Sequence, residues 1–251
     1  MSAAPEPAAV PDPADALAAR VEQLCATAFG ALDALRRVAE QLFLPWAAGT
    51  PVRAEEVAAI AGAVRPIVEP EGTPLVGAGL VLAPDVLADA AHWMEWWYRS
   101  GAGPRKLLPV LDPEAENFFD YTSFPWFAVP RDTGARHVTG PYVDWLCTEE
   151  YTLTFTVPLY ATHHERGRTY LGVVGADVVT SWLERRLLPL LHRMTGPTAL
   201  VNAEGRVLVA NRPDLVTGAV TRQADVPALW RRSDPALRRL EDTPLAILAL
   251  A

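Results

Sequence analysis

From Asp15 onward, Leu17, Val21, Leu24, Ala28, Leu32, Leu35, Ala39 and Leu42 recur at steps of three and four residues. That spacing puts apolar side chains on one helical face, so one long amphipathic helix is predicted over 15–44, ended by Pro45. A second helix is expected to open at Thr50 and Pro51, with Glu55 and Glu56 in its first turn and Val57, Ile60, Ala61, Val64 and Ile67 on one face. Pro66 and Pro70 limit its length.

After Gly72 the texture changes. The Gly-punctuated apolar run 75–82 ends at Ala83-Pro84-Asp85 and reads as a strand and turn. Residues 92–97 (HWMEWW) read as an aromatic helical segment, with Trp93 and Trp97 on one face, Trp96 about 100° away, and core packing as the expected role. Segments 138–147, 151–160 and 170–179 read as successive strands, with a polar hairpin loop at 163–168 between the last two. Short links between sequential strands favour an antiparallel sheet. Residues 181–194 read as a helix kinked or ended by Pro189, and 198–201 and 207–210 as a hairpin around Asn202 to Gly205. The mix of Pro, Arg and short apolar patches from Asn211 shows no period.

These elements fit an α+β body. The expected division is a disordered Ala/Pro tail at 1–13, a helical segment at 14–70, a sheet-based unit at 71–195 and a C-terminal α/β extension at 196–251 that either forms a second small lobe or wraps the first.

At 251 residues and half apolar, the chain can bury a full core, and its net charge of -8 lacks the basic footprint that nucleic acid selects. The first ten residues carry neither a basic segment nor an apolar run, and nowhere do about 18 apolar residues follow one another, so a cytoplasmic protein without membrane contact is expected. Cys25 and Cys147 form no metal spacing and read as reduced core thiols. His163-His164-Glu165 reads as a solvated loop rather than a metal site, and no metal or cofactor is expected. P-loop, Rossmann and nucleophile-elbow motifs are all missing, so no catalytic residue can be named.

The chemistry concentrates in 118–178. Alternation along a strand would put Tyr142 and Asp144 on one face, opposite Val143 and Trp145. Asp177 follows Gly172 and Gly175 near a strand end, where its carboxylate can reach the rim of a cavity. Asp144 can equally be a turn residue and Asp177 a helix cap. Trp126 and Phe127 offer π faces that attract ammonium groups. Two carboxylates in an aromatic box select a small cation.

The ordered run WF, TGPYVD, TLTFTVPL and GVVGADV resembles the Cache (PAS-like) sensor domains of chemoreceptors and sensor kinases, over about 75–180 and more loosely in the 198–210 hairpin. The resemblance implies long N-terminal helices on a PAS-like antiparallel sheet and a ligand site at Tyr121, Trp126, Phe127, Tyr142, Asp144 and Asp177. In amino-acid-binding members, Arg-x-Trp-Tyr contacts the ligand carboxylate, while Tyr-x-Asp and a strand-end Asp hold its amino group. Here Phe124 stands where the arginine would be and Phe127 replaces the tyrosine, so the resemblance implies an amine ligand rather than an amino acid.

The resulting expectation is a free-standing cytoplasmic, non-enzymatic sensor that binds a small cationic amine and signals to a protein partner, with the 15–44 helix as a dimerisation or docking surface unless it packs on its own sheet. The alternatives are an enzyme acting on a small amine with an Asp general base, or a regulatory adaptor with a vestigial pocket.

Overall fold

The computed structural model describes residues 12–250; residues 1–11 of the expected tail lie outside the described residues. Asp12 and Pro13, also assigned to that tail, instead open the first helix. The Asp12 carboxylate accepts from Ala14 N at 3.0 Å, and Pro13 occupies the first helical position, where its missing N–H costs nothing.

Helix α1 (Pro13–Leu42) buries the expected stripe, Leu17, Val21, Leu24, Ala28, Leu32, Leu35 and Ala39. Pro45 then falls in a short turn, α2 (Leu44–Ala47). The second helix starts later than Thr50 and in pieces: α3 (Ala54–Val57), a 3₁₀ turn (Ala58–Ile60) and α4 (Ala61–Val68). The Glu56 side chain accepts from Arg53 N at 2.8 Å and fixes that later start.

Two antiparallel sheets follow. The larger comprises β1 (Leu75–Leu82), β2 (Met94–Ser100), β3 (Gly103–Lys106), β4 (His137–Val143), β5 (Tyr151–His163) and β6 (Gly167–Val179), in the order β3-β2-β1-β6-β5-β4. Helix α5 (Pro125–Thr133) precedes β4, and α6 (Thr180–Leu191) follows β6 with Pro189 inside it. The smaller sheet, β8-β7-β10-β9, uses β7 (Thr198–Asn202), β8 (Val207–Ala210), β9 (Leu237–Arg239) and β10 (Leu245–Ala249), with α7 (Val226–Arg232) against it.

One face of the large sheet, carrying Ala78, Leu80, Leu153, Phe155, Ala176 and Val178, packs under α1, α4 and α6. The apolar stripe of α1 is therefore spent within the chain. The other face carries Val81, Met94, Trp96 and Val173, covered by Tyr121, Trp126 and Phe127. Among the described residues no helix is long and apolar enough to cross a membrane.

Four local expectations change. The helix expected over 92–97 is strand β2, paired with β1 through Gly79↔Trp96 and with β3 through Trp97↔Lys106. Strand β4 stops at Val143 because the Asp144 carboxylate gathers the next turn. The β5–β6 hairpin is tighter, leaving 164–166 outside the strands. His163, expected in solvent, is buried against Trp46 with ring centroids 4.7 Å apart.

Candidate functional site

Three glycines on the open face of the large sheet prepare the site. Gly77 pairs with Asp177, and Gly79 with both Gly175 and Trp96. A Cβ on Gly175 would lie 3.0 Å from Trp96 Cη2, and one on Gly79 would lie 2.9 Å from Trp96 Cε3. The glycines thus form a trough in which the indole of Trp96 lies.

Above this floor is a cavity of about 250 Å³. Its apolar walls come from Val81, Met94, Leu107, Phe119 and Trp126, and its mouth from Phe124, Trp145 and Leu146. Trp145 is 79% exposed and Phe124 40%. Polar groups converge at the inner end, where Asp177, Thr154, Tyr142, Asp144 and Cys147 all line it, and among the described residues no Lys, Arg or His does.

Asp177 is only 4% exposed. Its register partner on β5, Thr154, donates to Asp177 Oδ1 at 2.7 Å, and the Tyr142 hydroxyl lies 2.5 Å from Thr154 Oγ1. Since the single threonine proton goes to the carboxylate, Tyr142 donates to Thr154. The Asp177 carboxyl is raised to about 7, chiefly by burial and then by the charge of Asp144; the Thr154 hydrogen bond and the nearby Trp96 indole oppose the shift. Burial, followed by the neighbouring Asp177, likewise holds the Tyr142 phenol well above its usual range. Cys147 is raised by burial and by Asp144, so its thiol stays protonated and unreactive.

Asp144, 7% exposed, lines the cavity and also fastens the turn that follows β4. Its Oδ1 accepts from Leu146 N at 3.1 Å and Cys147 N at 3.3 Å, and its Oδ2 from Thr148 Oγ1 at 3.3 Å. Asp144 therefore both lines the cavity and holds the turn after β4. Asp177 caps no helix, because Val179 occupies the N-cap position of α6.

Of the six residues expected at the site, Trp126, Tyr142, Asp144 and Asp177 meet around the cavity, whereas Tyr121 and Phe127 do not line it. Both are fully buried behind Trp126. The Tyr121 hydroxyl donates to Leu82 O at 2.6 Å and accepts from Trp93 N at 3.3 Å, which ties the aromatic layer to the sheet. Trp96 and Thr154 were not singled out from the sequence as site residues. The alternation of Thr152, Thr154 and Thr156 with Leu153, Phe155 and Val157 was a signal that could have found Thr154. Among the described residues no group of three or more His, Cys, Asp or Glu side chains is placed to hold a metal.

No protein-family model matches the chain, and no curated protein matches it. Solved structures do. The extracellular domain of the histidine kinase soHK1S-Z6 superposes with a TM-score of 0.62 at 14% identity, covering 95% of this chain and 91% of that one. A methyl-accepting chemotaxis protein X gives 0.61 at 15%, covering 95% and 94%. The sensory domain of the Campylobacter jejuni chemoreceptor Tlp3 gives 0.59 at 15%, covering 94% and 90%. At these identities the likeness is one of fold, and the chain carries the Cache-type fold of chemoreceptor and histidine-kinase sensory domains.

Proposed function

We propose that the chain is a non-enzymatic sensing domain whose cavity takes a small organic cation, an amine without a carboxylate, and whose occupancy is passed to a protein partner. One observation carries this reading: two buried acidic side chains and aromatic walls line a cavity with no basic side chain among the described residues. An ammonium group gains from both carboxylates and from the π faces of Trp126 and Trp96. A ligand carboxylate placed there would meet two acidic side chains and no basic partner among the described residues.

The matched Tlp3 sensory domain has been crystallised with isoleucine and with L-valine bound. The fold therefore accommodates ligands of amine size in a related sensor. The lining of this chain's cavity favours the amino end of such molecules and has nothing for their acid end.

A thermal-shift panel of 2-phenylethylamine, putrescine, choline, isoleucine, valine and acetate tests the reading. An amine at about a hundred times its dissociation constant adds nearly 3 kcal/mol of stability. Stabilisation by an amine that Asp177→Asn abolishes supports the proposal. Stabilisation by carboxylates alone, or chemical turnover of a bound amine, overturns it. Cytoplasmic placement, expected from the sequence, stays part of the proposal although two matched histidine-kinase structures are extracellular domains. Cell fractionation decides it, and recovery outside the cytoplasm overturns it.

A further inference from the structure

In the function proposed above Asp177 holds the ammonium group and Trp96 offers it a π face, while the Trp96 indole N–H and Gly77 on β1 have a further role. A Cβ built on Gly77 would lie 2.9 Å from Asp177 Oδ2 and 3.0 Å from Trp96 Nε1. The carboxylate and the indole N–H therefore occupy the space above Gly77 together, and any other residue there would force one of them to move. Thr154 holds the opposite oxygen, Oδ1. Gly79 and Gly175 in turn set the indole, because its six-membered ring fills the space their side chains would take.

We propose that Trp96 is a positioning residue of the cation site: laid in the glycine trough, its indole brings the N–H to the Oδ2 side of Asp177 over Gly77 and holds that carboxylate for a cationic ligand. This inference rests on the cation-site reading of the cavity. Every element around the carboxylate contributes one kind of neighbour. Gly77 comes from β1, Trp96 from β2, Tyr142 from β4 and Thr154 from β5, while Asp144 and Cys147 come from the turn after β4. Asp144 opposes ionisation of Asp177, and Trp96 and Thr154 favour it. Lining residues supply no cation that would do this work instead.

The test has a ligand-free arm and a ligand arm. Carbon-detected NMR of the Asp177 carboxyl gives its titration midpoint in the unaltered protein, in Trp96→Phe and in Gly77→Ala. Losing one donor to the charged form moves the midpoint upward by about one pH unit, and it weakens binding of 2-phenylethylamine at pH 7 about tenfold by calorimetry. Trp96→Phe keeps an aromatic ring in the trough without the N–H. Gly77→Ala keeps the N–H but wedges a methyl against both Nε1 and Oδ2 and parts the pair, so the second variant decides if the first fails to fold. An unchanged midpoint in a folded variant overturns the inference. A raised midpoint in a protein that binds no amine leaves Trp96 as the positioning residue and overturns the cation reading.

Discussion

Replacing Asp177 by Asn should change how stability depends on pH, with a sign fixed by the structure. The carboxyl is raised from 3.8 to about 7, mainly by burial. In the unfolded chain it ionises near its ordinary value, so below about pH 4 both states hold the proton and the group costs nothing. Between about 4 and 7 the unfolded state loses its proton while the folded state keeps it, and stability falls with rising pH until the folded carboxyl ionises as well. About three pH units at about 1.4 kcal/mol each give about 4 kcal/mol. Asp177→Asn lacks this slope. Urea unfolding of both proteins from pH 4.5 to 8 isolates it, because the other titrating groups cancel in the difference. The variant should gain on the parent by up to about 4 kcal/mol as the pH rises, and a pH-independent difference refutes the reasoning. The same shift dictates the ligand's pH dependence. Below pH 7 an ammonium must displace the Asp177 proton, so amine affinity falls about tenfold per unit and about one proton is released at pH 6. Calorimetry in two buffers of different ionisation enthalpy measures the release, and a flat affinity from pH 5.5 to 8 contradicts it.

Three further substitutions separate the parts of the site. Thr154→Val keeps the shape but cuts the link from Tyr142 to Asp177; amine affinity should fall about tenfold, read by calorimetry, with the fold retained in circular dichroism. Trp145→Ala removes a side chain that is 79% exposed, so unfolding free energy should move by no more than about 0.5 kcal/mol while amine affinity drops, read by denaturation and calorimetry on one preparation. Tyr121→Phe removes the hydroxyl between Leu82 O and Trp93 N. It should destabilise the protein by about 1–3 kcal/mol in urea unfolding and leave the order of preference among amines unchanged, because Tyr121 lies behind the cavity wall.

Much of the fold was legible because burial is one-sided. The stripe of α1 is the face that meets the sheet, and the leucines and aromatics of 151–160 alternate with threonines because only one side of β5 faces the helices. The misread segments are those where tertiary contacts outweigh local pattern. In 92–97 the tryptophans sit three and four residues apart and mimic a helix, but pairing to β1 and β3 imposes a period of two. Helix α5 has no clear sequence signal, since two of its nine residues, Pro125 and Pro130, are prolines. Pro125 sits at its first position, and Gly134, with φ of +68°, closes it in the left-handed conformation.

The error over 92–97 is also why half of the anchor was invisible. On a helix, Trp96 stands apart from Trp93 and Trp97 and belongs to the general core. On a strand, it shares the face of Met94 and turns away from Glu95 and Trp97, onto the side where Asp177 points. Asp144 and Asp177 were found because a carboxylate within an apolar run is costly unless something holds it, which makes it conspicuous in one dimension. Glycines give no such signal, since their contribution here is the volume they leave empty: 77, 79 and 175 matter only once β1, β2 and β6 lie side by side. A sequence with alanine at 77 would keep every motif that suggested a cation site, yet a Cβ 2.9 Å from Asp177 Oδ2 would disturb the carboxylate on which that site depends.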